Sequence, residues 1–425
     1  MHNGQLQEAV CLGLGLGYLL TAYRPTAELP SAGWGTYFLH MSRLIFIVFL
    51  TVAAVSLPAR ELRAQTLTGI VFVDGNGNGT RDRGENALGG VAVSNQDTVV
   101  LTDATGAFRL PGRHGTGLVF VSVPDGYRSV GNFWRTAADE LSFALAATAP
   151  GRAFTFVHAS DTHISERTVG RTRRLRAITD SLAPAFVLVT GDLVRDALRV
   201  GESEARGYYD LFAAERKLFR APMFTVPGNH EIFGIETHLS RVDPGHPLFG
   251  RGMYRDYFGP DYYSFTRGGV HFIALNTIDT DGAWYYGNVD SLQLAWLRRD
   301  LAAIPADMPV VTFNHIPFYM TADQVNGFED EPPAPTLITV NGKAQFRHVV
   351  SNAADVLEAL GPRRAVLALG GHIHFAERIE RPGERVRFAT SAATVGPAGP
   401  RPSGITVYTV RNATVDGGRF VPLDP

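Results

Sequence analysis

Five short clusters of carboxylate, imidazole and amide side chains stand in order along the chain. They read Asp161-Thr-His163, Gly191-Asp192, Gly228-Asn229-His230-Glu231, Asn314-His315 and Gly371-His372-Ile-His374. Imidazole nitrogen with carboxylate oxygen suits Zn, Mn or Fe better than Mg or Ca. Each cluster alone is common by chance, and a lone His315 is more often a hydrogen-bonded loop residue. The ordered set carries the information. It supplies ligands for two ions that share one carboxylate, for which Asp192 is the natural candidate, and it leaves His230 over beside them. Two ions about 3.5–4 Å apart polarise a phosphoryl group and lower the pKa of a shared water, giving a metal-bound hydroxide near neutral pH. A spare imidazole next to such a centre suits general acid work, provided a partner orients it. The chemistry these residue types allow is hydrolysis of a phosphate ester.

Elements must bring the clusters to one place. Each follows an apolar run that reads as a buried strand, after Val157, Val189, Val226, Phe313 and Leu369. Between the runs lie helical patterns at 168–182, 204–218, 290–301 and 355–360, and further strands at 270–275, 386–393 and 404–410. Asp290 and Gln293 have the spacing of a capping box. Alternating strand and helix argues for a layered α/β domain. In such sheets, sites form outside the carboxyl ends of the strands. In Asp161-x-His163 and His372-x-His374, side chains two apart on extended backbone point the same way, so each pair can reach one site.

These residues resemble the calcineurin-like metallophosphoesterase superfamily over about 154–374, with all five blocks present and in order. The resemblance implies an α/β/β/α sandwich of two sheets with a dinuclear centre. It implies that Asp161, His163, Asp192 and His374 hold one ion, and that Asp192, Asn229, His315 and His372 hold the other. By the same resemblance His230 protonates the leaving oxygen or steadies the transition state. Two departures narrow the subclass. Purple acid phosphatases place a tyrosine three residues after the bridging aspartate. Here that residue is Arg195, and the first block ends in His163, so an iron–tyrosinate chromophore is not expected. Ser/Thr protein phosphatases carry Asp then Arg at the third and fourth positions, whereas this chain has Arg195 then Asp196. Asp196 or Glu231 can then orient His230, and Arg195 can contact phosphate or form a surface ion pair.

Two long segments, 232–263 and 317–347, are expected to shape the pocket, because connections of this length are uncommon unless functional. The second carries the acidic stretch Glu329-Asp-Glu331. Tyr285, Tyr286 and Tyr319 can stack on a base or sugar, or simply pack the loops.

Residues 65–149 read differently, as short strands separated by Gly, Asn and Asp turns: a small β-sandwich, independent of the α/β domain. Ala149-Pro150-Gly151 reads as a linker to that domain, which occupies 152–425. Within the sandwich, the run from Asp74 to Glu85 fits the twelve-residue calcium loop in full. Its ligands are Asp74, Asn76, Asn78, the Thr80 carbonyl, Asp82 and Glu85. A true EF-hand needs flanking helices, and here a strand precedes the loop. With Thr102-Asp-Ala-Thr-Gly-Ala-Phe-Arg-Leu110, the domain resembles calcium-stabilised sandwich repeats of bacterial surface proteins, which implies a structural calcium.

The bulk properties bound the partners. The net charge is −2 across 425 residues, so no basic field holds long nucleic acid. The expected substrate is a small phosphate ester. Cys11 is the one cysteine, which excludes an intrachain disulfide and a thiolate zinc site. Met41-Ser-Arg43, an apolar run at 44–57 and small residues ending at Ala59 or Ala64 read as a secretory signal peptide over 41–64. The run is short of the roughly 20 residues a membrane span needs. Residues 1–40 are then expected to be a start-site artefact or leader. The whole reads as a secreted or periplasmic bacterial phosphoesterase with no stable membrane span once the signal is removed. The alternatives are a non-catalytic surface binding protein that uses the β domain, or a phosphodiesterase for cyclic nucleotides or lipid headgroups.

Overall fold

Strand Leu67–Val73 turns Leu67, Val71 and Phe72 inward. It lies between Ala107–Leu110 and Glu140–Ala147, with Tyr127–Ser129 beyond, in a four-stranded sheet. Val99–Leu101, Ala92–Ser94, Leu118–Val121 and Trp134–Thr136 form a second. Val71, Phe108 and Phe143 of the first sheet meet Val93, Val119 and Val121 of the second, so the two close as a β-sandwich. The computed structural model describes residues 66–111, 116–138, 140–148, 151, 153–321, 335–363, 366–380, 385–397 and 401–424. The leader and signal readings at 1–64, the acidic stretch 329–331 and linker residues Ala149 and Pro150 lie outside the described residues.

The α/β part has two six-stranded sheets. In the first, Met223–Thr225, Phe186–Val189 and Ala153–Ala159 run parallel, and Gly404–Arg411 closes antiparallel on Ala153–Ala159. In the second, Val270–Ala274, Val310–Phe313, Val366–Gly370 and Val386–Thr390 run parallel. Its edges, Tyr263–Arg267 and Glu377–Glu380, are antiparallel. The parallel strands are apolar on both faces because both faces are covered. Between the sheets, Phe186 meets Phe265 and Phe272 edge-on, and Phe156 meets Phe272. Helices Val169–Leu182, Glu202–Arg216 and Gly252–Phe258 cover the first sheet through Leu175, Tyr209, Phe212 and Met253. Ser291–Ala302 and Ala353–Leu360 cover the second through Leu294, Leu297 and Val356. This is the α/β/β/α sandwich the resemblance implies.

Three local expectations need correction. The capping box is half formed: Asp290 accepts from the Gln293 N–H at 2.9 Å, but the Gln293 side chain turns inward to bond the Asn276 backbone. The segment 232–263 is not plain loop, for it holds helices Thr237–Ser240 and Gly252–Phe258. Finally, the β-sandwich is not independent of the α/β layers. Its buried Gln96 donates to Asp261 and to the Tyr262 carbonyl, and the Tyr262 hydroxyl donates back to the Gln96 carbonyl at 2.6 Å. Ser122 bonds Ser264, Trp296 donates to Ser94, and Phe133 packs on Tyr263. In sequence Ser94, Gln96 and Ser122 are only polar residues at or beside strand ends, and polar groups facing a second buried surface look the same as polar groups facing water.

Candidate metal centre

The clusters converge because the strand-end turns run alongside one another. His163 N–H donates to the Asp192 carbonyl and Ile164 N–H to the Leu193 carbonyl, so residues 161–164 and 191–194 pair outside the sheet. Gly371 N–H donates to the His315 carbonyl, tying the fourth cluster to the fifth. The glycines ahead of the ligands permit close approach. A Cβ on Gly228 would collide with the Asp192 carboxylate, and one on Gly371 with Ser160, Thr190 and Asp161.

The extended-backbone account of the Asp-x-His and His-x-His pairs does not hold. Asp161, His163, Asp192, His372 and His374 have φ of 52°, 37°, 48°, 72° and 63°, all left-handed. Asp and His tolerate this region better than most residues, but it is uncommon for any side chain. Tight turns, not strand alternation, aim these side chains at one point.

The point they share is Asp192. Around it lie two groups whose ligand atoms all fall within 4.8 Å of one another: Asp161, His163, Asp192 and His374, and Asp192, His315 and His372. His163 Nε2 is 3.2 Å from His374 Nε2 and 3.5 Å from Asp192 Oδ2. His315 Nε2 is 3.2 Å from both Asp192 Oδ2 and Asn229 Oδ1, and 3.1 Å from His372 Nδ1. His315 Nδ1 donates to the Thr190 carbonyl at 2.7 Å, which fixes its tautomer and leaves Nε2 for the site.

The donor set fits a pair of cations. Asp161 Oδ1 is buried with no hydrogen-bond partner, an atom that a cation satisfies. Burial opposes ionisation of Asp192, yet His315, His230 and His163 hold its carboxyl well below the usual range. Burial drives the His163 imidazole down to about 4, against the pull of Asp192. His372 is likewise pushed well below its usual value by burial and by His315, so both rings present neutral nitrogen. Burial lowers His315, but Asp192 outweighs it and lifts the group to about 9. A cation at Nε2 replaces that proton.

His230 lies beside the group, its ring 4.5 Å from that of His163 and its Nε2 3.9 Å from Asp192 Oδ2. The expected carboxylate partner is not what orients it. Its Nδ1 donates to the Arg195 carbonyl at 2.5 Å. Asp196 is occupied elsewhere: Oδ1 accepts from Leu198 and Arg199 N–H, and Oδ2 faces the Arg199 guanidinium. Glu231 is fully buried and accepts from Val194 N–H at 2.9 Å and Gly228 N–H at 2.6 Å. Burial and the nearby Asp192 push its carboxyl up, while the two backbone N–H donors, one on each oxygen, favour the carboxylate. The exposed Arg195 side chain lies against Tyr208 of the helix Glu202–Arg216.

The tyrosines pack rather than offer free faces. Tyr285 is covered by the buried Arg347 guanidinium, 4.2 Å above its ring, and meets His372 edge-on. Tyr286 bonds Asp279, and Tyr319 packs on Phe388. Arg347, which sequence reading passed over, thus supports the Tyr285 ring that meets His372. In the Asp74–Glu85 loop the donors fit calcium by type, but the oxygens accept from loop groups. Asp74 takes Gly77 and Gly79 N–H, Glu85 takes Gly75 and Asp82 N–H, and Asp82 takes the Asn76 and Asn78 amides.

The model of calcineurin-like phosphoesterases matches residues 154–376, more than half of the chain and all five clusters. Over 137 residues the chain is 31% identical to a probable cyclic nucleotide phosphodiesterase from Rhodopseudomonas palustris, covering 32% of this chain and 44% of that one. Over 168 residues it is 26% identical to purple acid phosphatase 23 of Arabidopsis thaliana, covering 38% and 30%. It therefore spans less than half the length of either curated relative. A solved dimetal phosphatase from Danio rerio aligns at 15% identity with a TM-score of 0.40, over 61% of this chain and 93% of that one. GAP50, the anchor in the inner membrane complex of Plasmodium, aligns at 14% with a TM-score of 0.41, over 64% and 85%.

Proposed function

The chain belongs to the calcineurin-like phosphoesterase family, and on that premise we propose that it hydrolyses a small phosphate mono- or diester at a dinuclear centre. The observation that carries this is the convergence of two ligand groups on the buried Asp192. Asp161, His163, Asp192 and His374 would hold one divalent ion of Mn, Zn or Fe. Asp192, Asn229, His315 and His372 would hold the other. Such a pair, when bound, supplies charge stabilisation for the phosphoryl oxygens and acidifies a water near neutral pH. The protein's own part is positional. The Thr190 carbonyl fixes the His315 tautomer, and the His230 N–H holds Asp192 Oδ1 at 3.0 Å. His230 keeps Nε2 toward the site and, in its doubly protonated form, gives the Nε2 proton to the leaving oxygen while Nδ1–H stays on the Arg195 carbonyl.

The test is to strip the protein with chelator and reconstitute it with Mn, Zn or Fe. Phosphomonoesters, diesters and nucleotides are then assayed, cyclic nucleotides included because one relative is described as acting on them. Activity should return with about two ions per chain. Asp192→Asn and His315→Ala should lower it by about 1000-fold or more with loss of bound metal, of the order that charge stabilisation supplies. Metal-free hydrolysis at the same rate would overturn the reading. It would also favour the alternative of a non-catalytic centre with contaminating activity.

Export and a structural calcium belong to the same proposal. The signal-like run at 41–64 supports export, and an exported chain should begin after Ala59 or Ala64. Amino-terminal sequence from upstream of Met41 would count against both the signal reading and the start at Met41. For calcium the support is the oxygen set of Asp74, Asn76, Asn78, Thr80, Asp82 and Glu85. Binding would exchange the loop N–H partners for the ion at the modest affinity of extracellular modules.

A further inference from the structure

Resting on the reading of His230 as the acid, we propose that Asp196, Arg199 and Glu236 are positioning residues that aim His230 through the Arg195 carbonyl. A carbonyl only accepts, so the 2.5 Å contact keeps one ring proton on Nδ1 and turns Nε2 toward Asp192; the acid form of His230 carries a second proton, on Nε2. The same turn grips the backbone of His230, because Ala197 N–H donates to the His230 carbonyl at 2.9 Å. His230 is therefore held at ring and main chain by residues 195–197.

What fixes that turn is a chain of three side chains. Asp196 Oδ1 accepts from Leu198 N–H at 2.9 Å and Arg199 N–H at 3.3 Å, which closes the turn on itself. Asp196 Oδ2 meets Arg199 Nη1 at 3.1 Å, and Arg199 Nη2 meets Glu236 at 2.9 Å. Glu236 N–H returns to the Leu198 carbonyl, and Gly234 N–H to the Ala197 carbonyl. The relay therefore locks the 195–199 turn to the segment just after His230. Its side chains are 20%, 37% and 17% exposed for Asp196, Arg199 and Glu236. Ion pairs this exposed add only about 0–1 kcal/mol to stability. Their consequence lies in geometry rather than in holding the fold together. In the reaction, water oxygen bonds to phosphorus and loses a proton to solvent. The bond from phosphorus to the leaving oxygen breaks, and that oxygen takes the Nε2 proton of doubly protonated His230. Nδ1–H stays on the carbonyl, and solvent returns a proton to Nε2.

The test uses the metal-loaded full chain and a series of aryl and alkyl phosphate esters of graded leaving-group pKa. Asp196→Ala and Arg199→Leu should lower kcat on the poorest leaving group by about 10-fold or more, in the range by which misplaced groups lose rate. They should change it little on the most activated ester, with KM, metal content and melting temperature held. In a His230→Ala background neither change should lower kcat further. Equal losses across the series, or additive losses with His230→Ala, would overturn the relay while leaving the acid role intact. A His230→Ala protein whose loss of kcat is the same on poor and on activated leaving groups would overturn the acid role itself, and the relay with it. Arg199→Leu, at the more exposed position, carries the test should Asp196→Ala fold poorly.

Discussion

Left-handed backbone at Asp161, His163, Asp192, His372 and His374 costs about 1–2 kcal/mol per residue, and buried hydrogen bonds must hold it in place. Glu231 is the residue best placed to do so. One carboxylate bridges Val194 N–H beside Asp192 and Gly228 N–H beside Asn229. Glu231→Gln keeps the shape but swaps one acceptor for an NH2 donor, which then faces a backbone N–H. The two ligand turns should loosen and metal affinity fall about 10–100-fold, the range typical of groups that support ligands. Titration of the apo protein by calorimetry checks this, and unchanged affinity would remove Glu231 from the supporting role. At this scale the sequence disclosed the ligand types, because imidazole and carboxylate are letters. It disclosed neither the backbone hand that aims them nor the partner of His230, since a main-chain carbonyl belongs to every residue alike.

The arginine-rich helix Val169–Leu182 shows how an element can be found correctly and still not explained. Its arginines are visible in sequence, but their partners lie far away in the chain. Arg173 and Arg176 hold Glu215 of the helix Glu202–Arg216. Arg171 reaches the Thr394 carbonyl, Ser403 and Asp424, and Arg174 reaches the Leu423 carbonyl. The helix therefore staples Leu423, Asp424, Ser403 and Thr394, and the Thr394 and Val395 N–H groups bond the Ser160 and Asp161 carbonyls at the site. Arg171→Ala should cost about 1 kcal/mol, the modest value of half-exposed pairs, read as a small drop in urea midpoint. It should also raise proteolysis near the C-terminus. A wild-type midpoint and cleavage pattern would show the staple to be idle. Boundaries of strands and helices were legible to within a few residues wherever apolar runs were long. The short helices inside 232–263 and the edge strand Tyr263–Arg267 were not, because they are only four to seven residues long and the Gly and Pro residues that flank them signal loop.

At the scale of the molecule, the β-sandwich and the α/β layers meet through buried hydrogen bonds and through the packing of Phe120 on Trp296 and Phe133 on Tyr263. Asp261 is the hinge of that contact. It is fully buried and pairs with both arms of Arg255, at 2.9 and 3.0 Å. It also accepts from Asn276 at 2.8 Å and from Gln96 of the sandwich at 3.2 Å. Burial opposes its charge, but Arg255, Arg251 and Asn276 outweigh burial and hold its carboxyl far below the usual value. A folded-state pKa below the unfolded one gives stability that is present above the unfolded value, near 4, and lost as pH falls further. Asp261→Asn should therefore cost about 3 kcal/mol at pH 7, as breaking a buried pair does. The difference from wild type should be flat above about pH 5 and shrink below pH 4. A gap that stays constant down to pH 2 would show that packing, not charge, is responsible. The same contact predicts that the two parts unfold in one calorimetric transition. Calcium chelation, if the Asp74–Glu85 loop holds an ion, should then lower that single transition as a whole. Two separated transitions, with only the lower one sensitive to chelator, would show that the interface couples the parts weakly despite its buried bonds.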